Sequence, residues 1–342
     1  MRATRGVVAV GIMLFALLCA RADAQSPAEL TIGIGRDIPL NTHVSVAAAK
    51  GFFRAEGLTV QLKSFASGAV MTESMAANDL QVGLAAITSP VIMRNNGVPV
   101  VILAQVADNG GNNAILVRTD AGVRRAEDLY RLKLGLQVGS SASKFLNDVV
   151  AEHRIDAARL QTVNLTPPDA VAAYRAGQVD GLVVWEPWVS RAEAARPSTI
   201  VHTYHESLFA GARRKVSLTQ NAMVLFVREE LAKTRGDVLN ALLRGMVKAD
   251  EYIAGGAHAE EVLTLASRDI KQEPQANRRG FERAVFKLVL DEGLVRVIRE
   301  NTEFLKETGK IRAAVDPLSW IYSAPLKRAR AASVKIEGTW KP

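Results

Sequence analysis

Between Lys133 and Arg154 the sequence KLGLQVGSSASKFLNDVVAEHR changes its period within a few residues, and that change restricts the fold more than any other stretch. Leu134, Leu136 and Val138 alternate with smaller or polar residues, the two-residue repeat of a strand. Gly139 permits a turn, and Ser140, Ser141 and Ser143 supply hydroxyls where a helix begins. Phe145, Leu146, Val149 and Val150 then share one helical face, with His153 and Arg154 in the last turn. A strand feeding a helix in this way is half of a parallel α/β unit. It also leaves the first N–H groups of the helix open at its positive dipole end, an uncharged cradle for an anion. An ordinary capped helix reads the same way, so the neighbouring stretches decide.

Those stretches repeat the pattern. Leu30–Ile34 alternates as a strand and ends in the loop Arg36-Asp37-Ile38-Pro39, ahead of a helix over Thr42–Lys50. Leu58, Val60 and Leu62 form a second strand closed by Ser67-Gly68, and a helix over Ala69–Ala77 follows. Leu80–Leu84 is a third strand, opening into Thr88-Ser89-Pro90. Val100–Val106 is a fourth, followed by the polar run Asp108–Asn113, which includes Asn109. Further on, Leu160–Leu165 and Val179–Val184 read as strands around a helix capped at Thr166 with proline in its first turn. MAANDLQVGLAA (75–86) and YRAGQVDGLVV (174–184) echo one another, each a helix end, a helix stop and an apolar strand. Two similar halves are the expectation. From Glu229 to about Leu305 the period is helical: Leu239, Leu242, Leu243, Met246 and Val247 mark one face, and Phe281, Val285, Leu288 and Val289 another.

The N-terminus bounds where the chain works. Arg2 and Arg5, an apolar run from Val7 to Cys19 and the triplet Ala22-Asp23-Ala24 read as a cleaved secretory leader over residues 1–24. Leu18 is bulky where lipoprotein processing before Cys19 wants a small residue, so cleavage after Ala24 is the expectation. Cys19 is the only cysteine, so the exported chain cannot form a disulfide. The formal net charge is +8, yet Arg213-Arg214-Lys215, Arg278-Arg279 and Lys327-Arg328 are scattered and lack interleaved aromatics, which argues against a nucleic-acid face.

Four segments in order then carry a resemblance: AAAKGFFRAEGLTVQLKSFASG (47–68), VGLAAITSPVIMRNNGVPVVILA (82–104), EDLYRLKLGLQVGSSAS (127–143) and DAVAAYRAGQVDGLVVWEPW (169–188). Together they resemble the periplasmic substrate-binding proteins of ABC importers, in the branch serving sulfonates, taurine, nitrate and thiamine precursors. The resemblance implies an α/β, two-lobed type II periplasmic binding fold with a ligand cleft between the lobes. It also implies no catalysis, no cofactor, and delivery of the ligand to an ABC permease in the inner membrane by a monomer. Combined with the strand pattern it places the first lobe at residues 25–116 and 222–342 and the second at 117–221, with the hinge near Val117 and Met223.

Loops at the carboxyl ends of strands are where open α/β sheets bind ligands. On that rule the candidate site is Arg36, Asp37, Ser67, Gly68, Thr88, Ser89, Asn109, Ser140, Ser141, Ser143, Trp185 and Glu186. Tryptophan after a strand is more often core than platform, but Pro187 holds the preceding loop extended, so Trp185 or Glu186 is expected to line the cleft. The run His202–Glu206 has metal-ligand residue types, but His43, His153 and His258 are distant in sequence, and no metal site is expected. A nucleophilic enzyme lacks both a cysteine after the leader and a G-x-S-x-G elbow. A sensor that reports to a membrane receptor needs the same cleft and stays open as an alternative, as does an enzyme of thiamine-precursor synthesis, a class that the resemblance includes among relatives of this fold. An anionic or zwitterionic solute with an acid for the cradle and a cation for Asp37 or Glu186, such as taurine or a related sulfonate, is the expected cargo. Nitrate, bicarbonate or a pyrimidine thiamine precursor is the alternative.

Overall fold

The computed structural model describes residues 27–216, 218 and 221–342, so the expected leader and Cys19 lie outside the described residues. In the first half of the chain, β1 (Ala28–Gly35), β2 (Leu58–Phe65), β3 (Val82–Ala86) and β4 (Val100–Asp108) alternate with helices. A second series follows: β5 (Asn113–Arg118), β6 (Lys133–Leu136), β7 (Gln161–Asn164), β8 (Gly181–Trp185), β9 (Ser198–Thr203), β10 (Glu206–Ser207) and β11 (Arg214–Lys215). Then β12 (Ala222–Arg228) and β13 (Val285–Val289) complete the strands. They build two sheets, in the orders β13-β4-β12-β3-β1-β2 and β11-β10-β9-β5-β8-β6-β7. Each sheet covers its own apolar cluster, the first holding Ile32, Leu84 and Phe226 and the second Leu116, Leu134 and Val183. The molecule is two-lobed.

The sheets repeat one plan. β1 lies parallel between β2 and β3, as β6 lies parallel between β7 and β8. An antiparallel strand from the neighbouring segment of chain then inserts beside the third strand, β12 in the first sheet and β5 in the second. The echo between residues 75–86 and 174–184 falls on equivalent places, the helix end and strand that lead into β3 and β8. Equivalence extends to the loops. Asp37 caps the helix after β1 as Ser140 caps the helix after β6.

The chain crosses between the sheets at Asp108–Asn113 and returns between Lys215 and Ala222. The Asp108 Oδ1 accepts from the Gly110 N–H at 2.9 Å and the Asn221 N–H at 3.2 Å, so one carboxylate ties both crossings together. β5 belongs whole to the second sheet, with Asn113 paired to Trp185 of β8. The crossing therefore comes a few residues before the boundary placed after Leu116, because Gly110–Asn112 turns the chain in a short 3-10 segment.

Two elements differ from the sequence reading. The helix after β1 runs Ile38–Ala49, starting earlier than Thr42, because Asp37 accepts from the Leu40 N–H at 3.3 Å and Pro39 fits the first turn. Val285–Val289, read as part of a helical face, is instead edge strand β13, antiparallel to β4. The helix Pro274–Arg283 and the Asp291 cap of the next leave too few residues between them for another helix, and β4 offers unpaired backbone groups.

Candidate functional site

Asp37, Leu40, Ser67, Gly68, Ala69, Ala86, Ser89, Asn109 and Met223 from the first lobe meet Ser140, Ser141 and Trp185 from the second around a narrow cavity of about 20 Å³. That is room for about one water. The N-terminal ends of four helices, Ile38–Ala49, Gly68–Ala76, Thr88–Asn95 and Ser141–His153, face this space. Their dipoles add a positive potential without any cationic side chain in the wall.

Close packing sets those ends. A Cβ on Gly33 would lie 2.4 Å from Leu80 Cδ2 and 2.7 Å from Met71 Sδ, so the helix Gly68–Ala76 sits directly on β1 through Met71. At its start a Cβ on Gly68 would lie 2.8 Å from the Ala85 Cβ. Gly68→Val is therefore expected to push this helix end out of the cavity wall. It should cost about 1–3 kcal/mol of stability in denaturant titration and abolish ligand binding in calorimetry, whereas unchanged affinity would show that the Gly68 end is not used.

The available donors follow from who is already bonded. Ser140 has no hydrogen left to give: its hydroxyl donates to the Gln137 carbonyl at 2.6 Å and accepts from the Ala142 N–H at 3.2 Å. Ser143 donates to the Ser140 carbonyl at 2.8 Å. The Ser67 hydroxyl accepts from the Val70 N–H at 3.3 Å, which leaves its own hydrogen to give. The Gly68 and Ser141 N–H groups, each first in its helix, take no backbone partner among the described residues. The cradle expected around Ser141–Ser143 is thus narrower than the sequence implied on the second lobe, where only Ser141 faces the cavity with donors to spare. It is wider on the first lobe, where Ser67, Gly68 and Ser89 join it.

The first-lobe wall that carries Ser67 and Gly68 also holds one acid. The Asp37 carboxyl is fully buried, and loss of water pushes it up to about 7, partly offset by the Leu40 N–H and the approach of the Trp185 indole from the other lobe. Near neutral pH this wall therefore presents either a neutral acid that can donate or a carboxylate that needs a cation.

Of the twelve candidate positions, Asp37, Ser67, Gly68, Ser89, Asn109, Ser140, Ser141 and Trp185 line the cavity. The other four do not. Arg36 is exposed on the surface. Thr88 turns inward and donates to the Asn301 Oδ1 at 2.7 Å. Ser143 faces a separate trough beside Phe304. Glu186 is buried but turned away from the cavity, ion-paired with Arg279 and accepting from the Ser190 N–H and hydroxyl at 3.1 and 2.8 Å. Arg279, on the helix Pro274–Arg283 of the first lobe, also pairs with Glu193. Beside it the Asn112 side chain donates to the Gly280 carbonyl at 2.9 Å. These contacts form a latch across the lobes at the edge of the cleft.

The histidines give a further surprise. His153, distant in sequence, lies with its Nε2 3.0 Å from that of His202, one ring donating to the other. Burial lowers both, His202 to about 4, so the pair is neutral. No group of three metal-binding side chains occurs among the described residues.

Comparison with known proteins decides the family. The model of the NMT1-like family matches residues 23–267. The chain belongs to the NMT1-like family. This NMT1-like chain is 24% identical over 294 residues to the taurine-binding periplasmic protein of Escherichia coli (strain K12), covering 80% of the chain and 86% of that relative. Its fold matches the crystal structure of the periplasmic aliphatic sulphonate binding protein SsuA from Escherichia coli with a TM-score of 0.71 at 18% identity, over 87% of the chain and 98% of that structure. The desulfurization enzyme DSZB has the same fold at a TM-score of 0.65 and 16% identity, over 89% of the chain and 99% of that enzyme. A fold shared with both a binding protein and an enzyme does not by itself settle the role.

Leu40, Ala69, Ala86 and Met223, the last expected at the hinge, were not among the candidate site residues, yet they supply the apolar part of the wall. Their only sequence signal is position, within three residues of a polar site residue or at the end of a strand.

Proposed function

We propose that this protein is the extracytoplasmic solute-binding component of an ABC importer, and that it captures a small organic sulfonate, taurine or a close relative, for a membrane permease. The observation that carries this reading is the cavity itself: open N–H and hydroxyl donors at helix N-termini line one space between the lobes together with a carboxyl poised near neutrality. A tetrahedral sulfonate accepts from many donors at once, and an ammonium a few ångströms away answers Asp37. The names of the relatives point the same way. A binding role is favoured over an enzymatic one because the relatives similar over the largest shares of the chain are named as binding proteins. In this reading the protein works in the periplasm as a monomer, without a cofactor, after removal of residues 1–24. No helix among the described residues is long and apolar enough to cross a membrane.

Thermal shift tests the reading, since a ligand that binds only the folded form raises the melting temperature with the logarithm of its concentration over Kd. Taurine and ethanesulfonate differ in the ammonium and share the acid. As pH rises from 6 to 8 and Asp37 loses its proton, the taurine shift is expected to grow and the ethanesulfonate shift to shrink. Nitrate, bicarbonate or a pyrimidine shifting the transition where no sulfonate does would refute the cargo.

A further inference from the structure

Outside the ligand cavity the lobes meet again, where the helix Ser141–His153 of the second lies against the helix Glu292–Glu307 of the first. Lys144 and Asp148 stand one turn apart on one helix, and Glu300 and Phe304 one turn apart on the other. The Lys144 Nζ lies over the Phe304 ring, 5.8 Å from its centroid, so these two faces oppose each other. Lys144 is 6% exposed and ion-paired with the Asp148 Oδ1. Its single charge leaves two oxygens unanswered. The Asp148 Oδ2, from one lobe, and the Glu300 Oε2, from the other, are both buried without a hydrogen-bond partner among the described residues. Loss of water raises the Asp148 carboxyl above its ordinary value, Lys144 offsets part of this, and the Glu300 charge adds to it. Tyr204, just past β9, is set against both acids and against Asp108, and burial keeps its hydroxyl protonated. Glu152 on the second-lobe helix and Arg296, Arg299 and Glu303 on the first-lobe helix are exposed.

We propose that holding the lobes together here takes up one proton at the Asp148 Oδ2, so that the closed form gains on the open one as pH falls. Two carboxylates and one ammonium carry a net negative charge into a space short of water, and a proton cancels it. Apart, the two acids belong to different lobes and each meets solvent, where neither needs the proton. Protonated, Oδ2 has a hydrogen to give to the Glu300 carboxylate, while Oδ1 keeps Lys144. The proton comes from solvent as the lobes meet and returns to it when they part. The proposal rests on capture of a solute between the lobes and not on the chemistry of that solute. The grip on any solute then depends on pH through a pair that touches none.

Two measurements test this: small-angle scattering of the ligand-free protein, and calorimetry of ethanesulfonate in the Asp37→Asn background, where Asp37 takes no part. As pH falls from 7.5 to 5 the radius of gyration should decrease. Over the same range ethanesulfonate affinity should rise about threefold or more, one proton allowing at most about tenfold per pH unit. Titrations in buffers of different ionisation enthalpy should show proton uptake on binding. In Glu300→Gln, and independently in Asp148→Asn, radius and affinity should both be level with pH and the uptake lost. Glu152→Gln, at an exposed acid of the same helix, should keep all three effects. A level radius, a level affinity where ethanesulfonate binds, or changes that survive in both variants would overturn the proton link and leave the solute reading standing. Failure of every sulfonate to bind, with a pH-dependent radius that both variants lose, would overturn the cargo and leave the proton link standing.

Discussion

Asp37→Asn is expected to make the protein more stable above pH 7 and to cost it the ammonium-bearing ligand. Burial raises the Asp37 pKa from 3.8 to about 7, so between those values the folded protein holds a proton that the unfolded chain has released. Stability from this group is complete below pH 4 and falls as pH rises to about 7, by at most about 4 kcal/mol. Asparagine caps a helix as well as aspartate does and carries no charge to bury. The substitution should therefore remove that fall, so that the difference in unfolding free energy between the two proteins widens from pH 4 to pH 7 and is level beyond. A constant difference across the range would mean that Asp37 is not held above its ordinary value. Taurine affinity, which needs the carboxylate, should drop by tenfold or more in the same variant.

The second large effect is at the latch. Arg279→Ala leaves Glu186, 2% exposed, without its cation and keeps only the Ser190 bonds. Arg279 is itself one-third exposed, so we expect about 2 kcal/mol rather than the larger cost of a fully buried pair. Because Arg279 and Glu186 come from different lobes, the loss falls on the closed form. Ligand affinity should weaken about 30-fold, nearly all of it as faster dissociation, because the pair forms only after the lobes have met. Stopped-flow kinetics separates the rates. An unchanged dissociation rate would place the latch outside the closing step. Arg279→Ala combined with Glu186→Gln should recover part of the loss, since the stranded charge is gone.

Most of the cavity was legible because a local rule sufficed. Asp37, Ser67, Ser89, Ser140 and Ser141 each stand where a strand hands over to a helix, and both the period change and the capping residue are written within a few positions. What the sequence hid are pairings across long separations. Nothing near Thr88 announces Asn301, nothing near Glu186 announces Arg279, and His153 and His202 meet only because the helix Ser141–His153 lies beside β9. The same holds for β13, whose five residues become a strand only because β4 ends the sheet with free backbone groups. The cradle at Ser140 and Ser143 was misjudged for a related reason. Hydroxyl count along the chain does not show which hydroxyls the turn itself consumes.

The helix Ile38–Ala49 is buried on every side from Ile38 to Ala47, with Asn41 bonded to the Ala266 carbonyl and His43 to Asp250. A carboxyl at the tip of so confined a rod cannot reach out to meet a cation. In the reading proposed above the solute is carried to it by the opposite half, which joins this one at Asp108–Asn113 and Asn221. One jaw is thus an anvil and the other a hammer. A molecule that satisfies the anvil holds the hammer down, and one that does not lets it rise again. A permease that gauges the hammer's position would be informed of the identity of the solute without touching it.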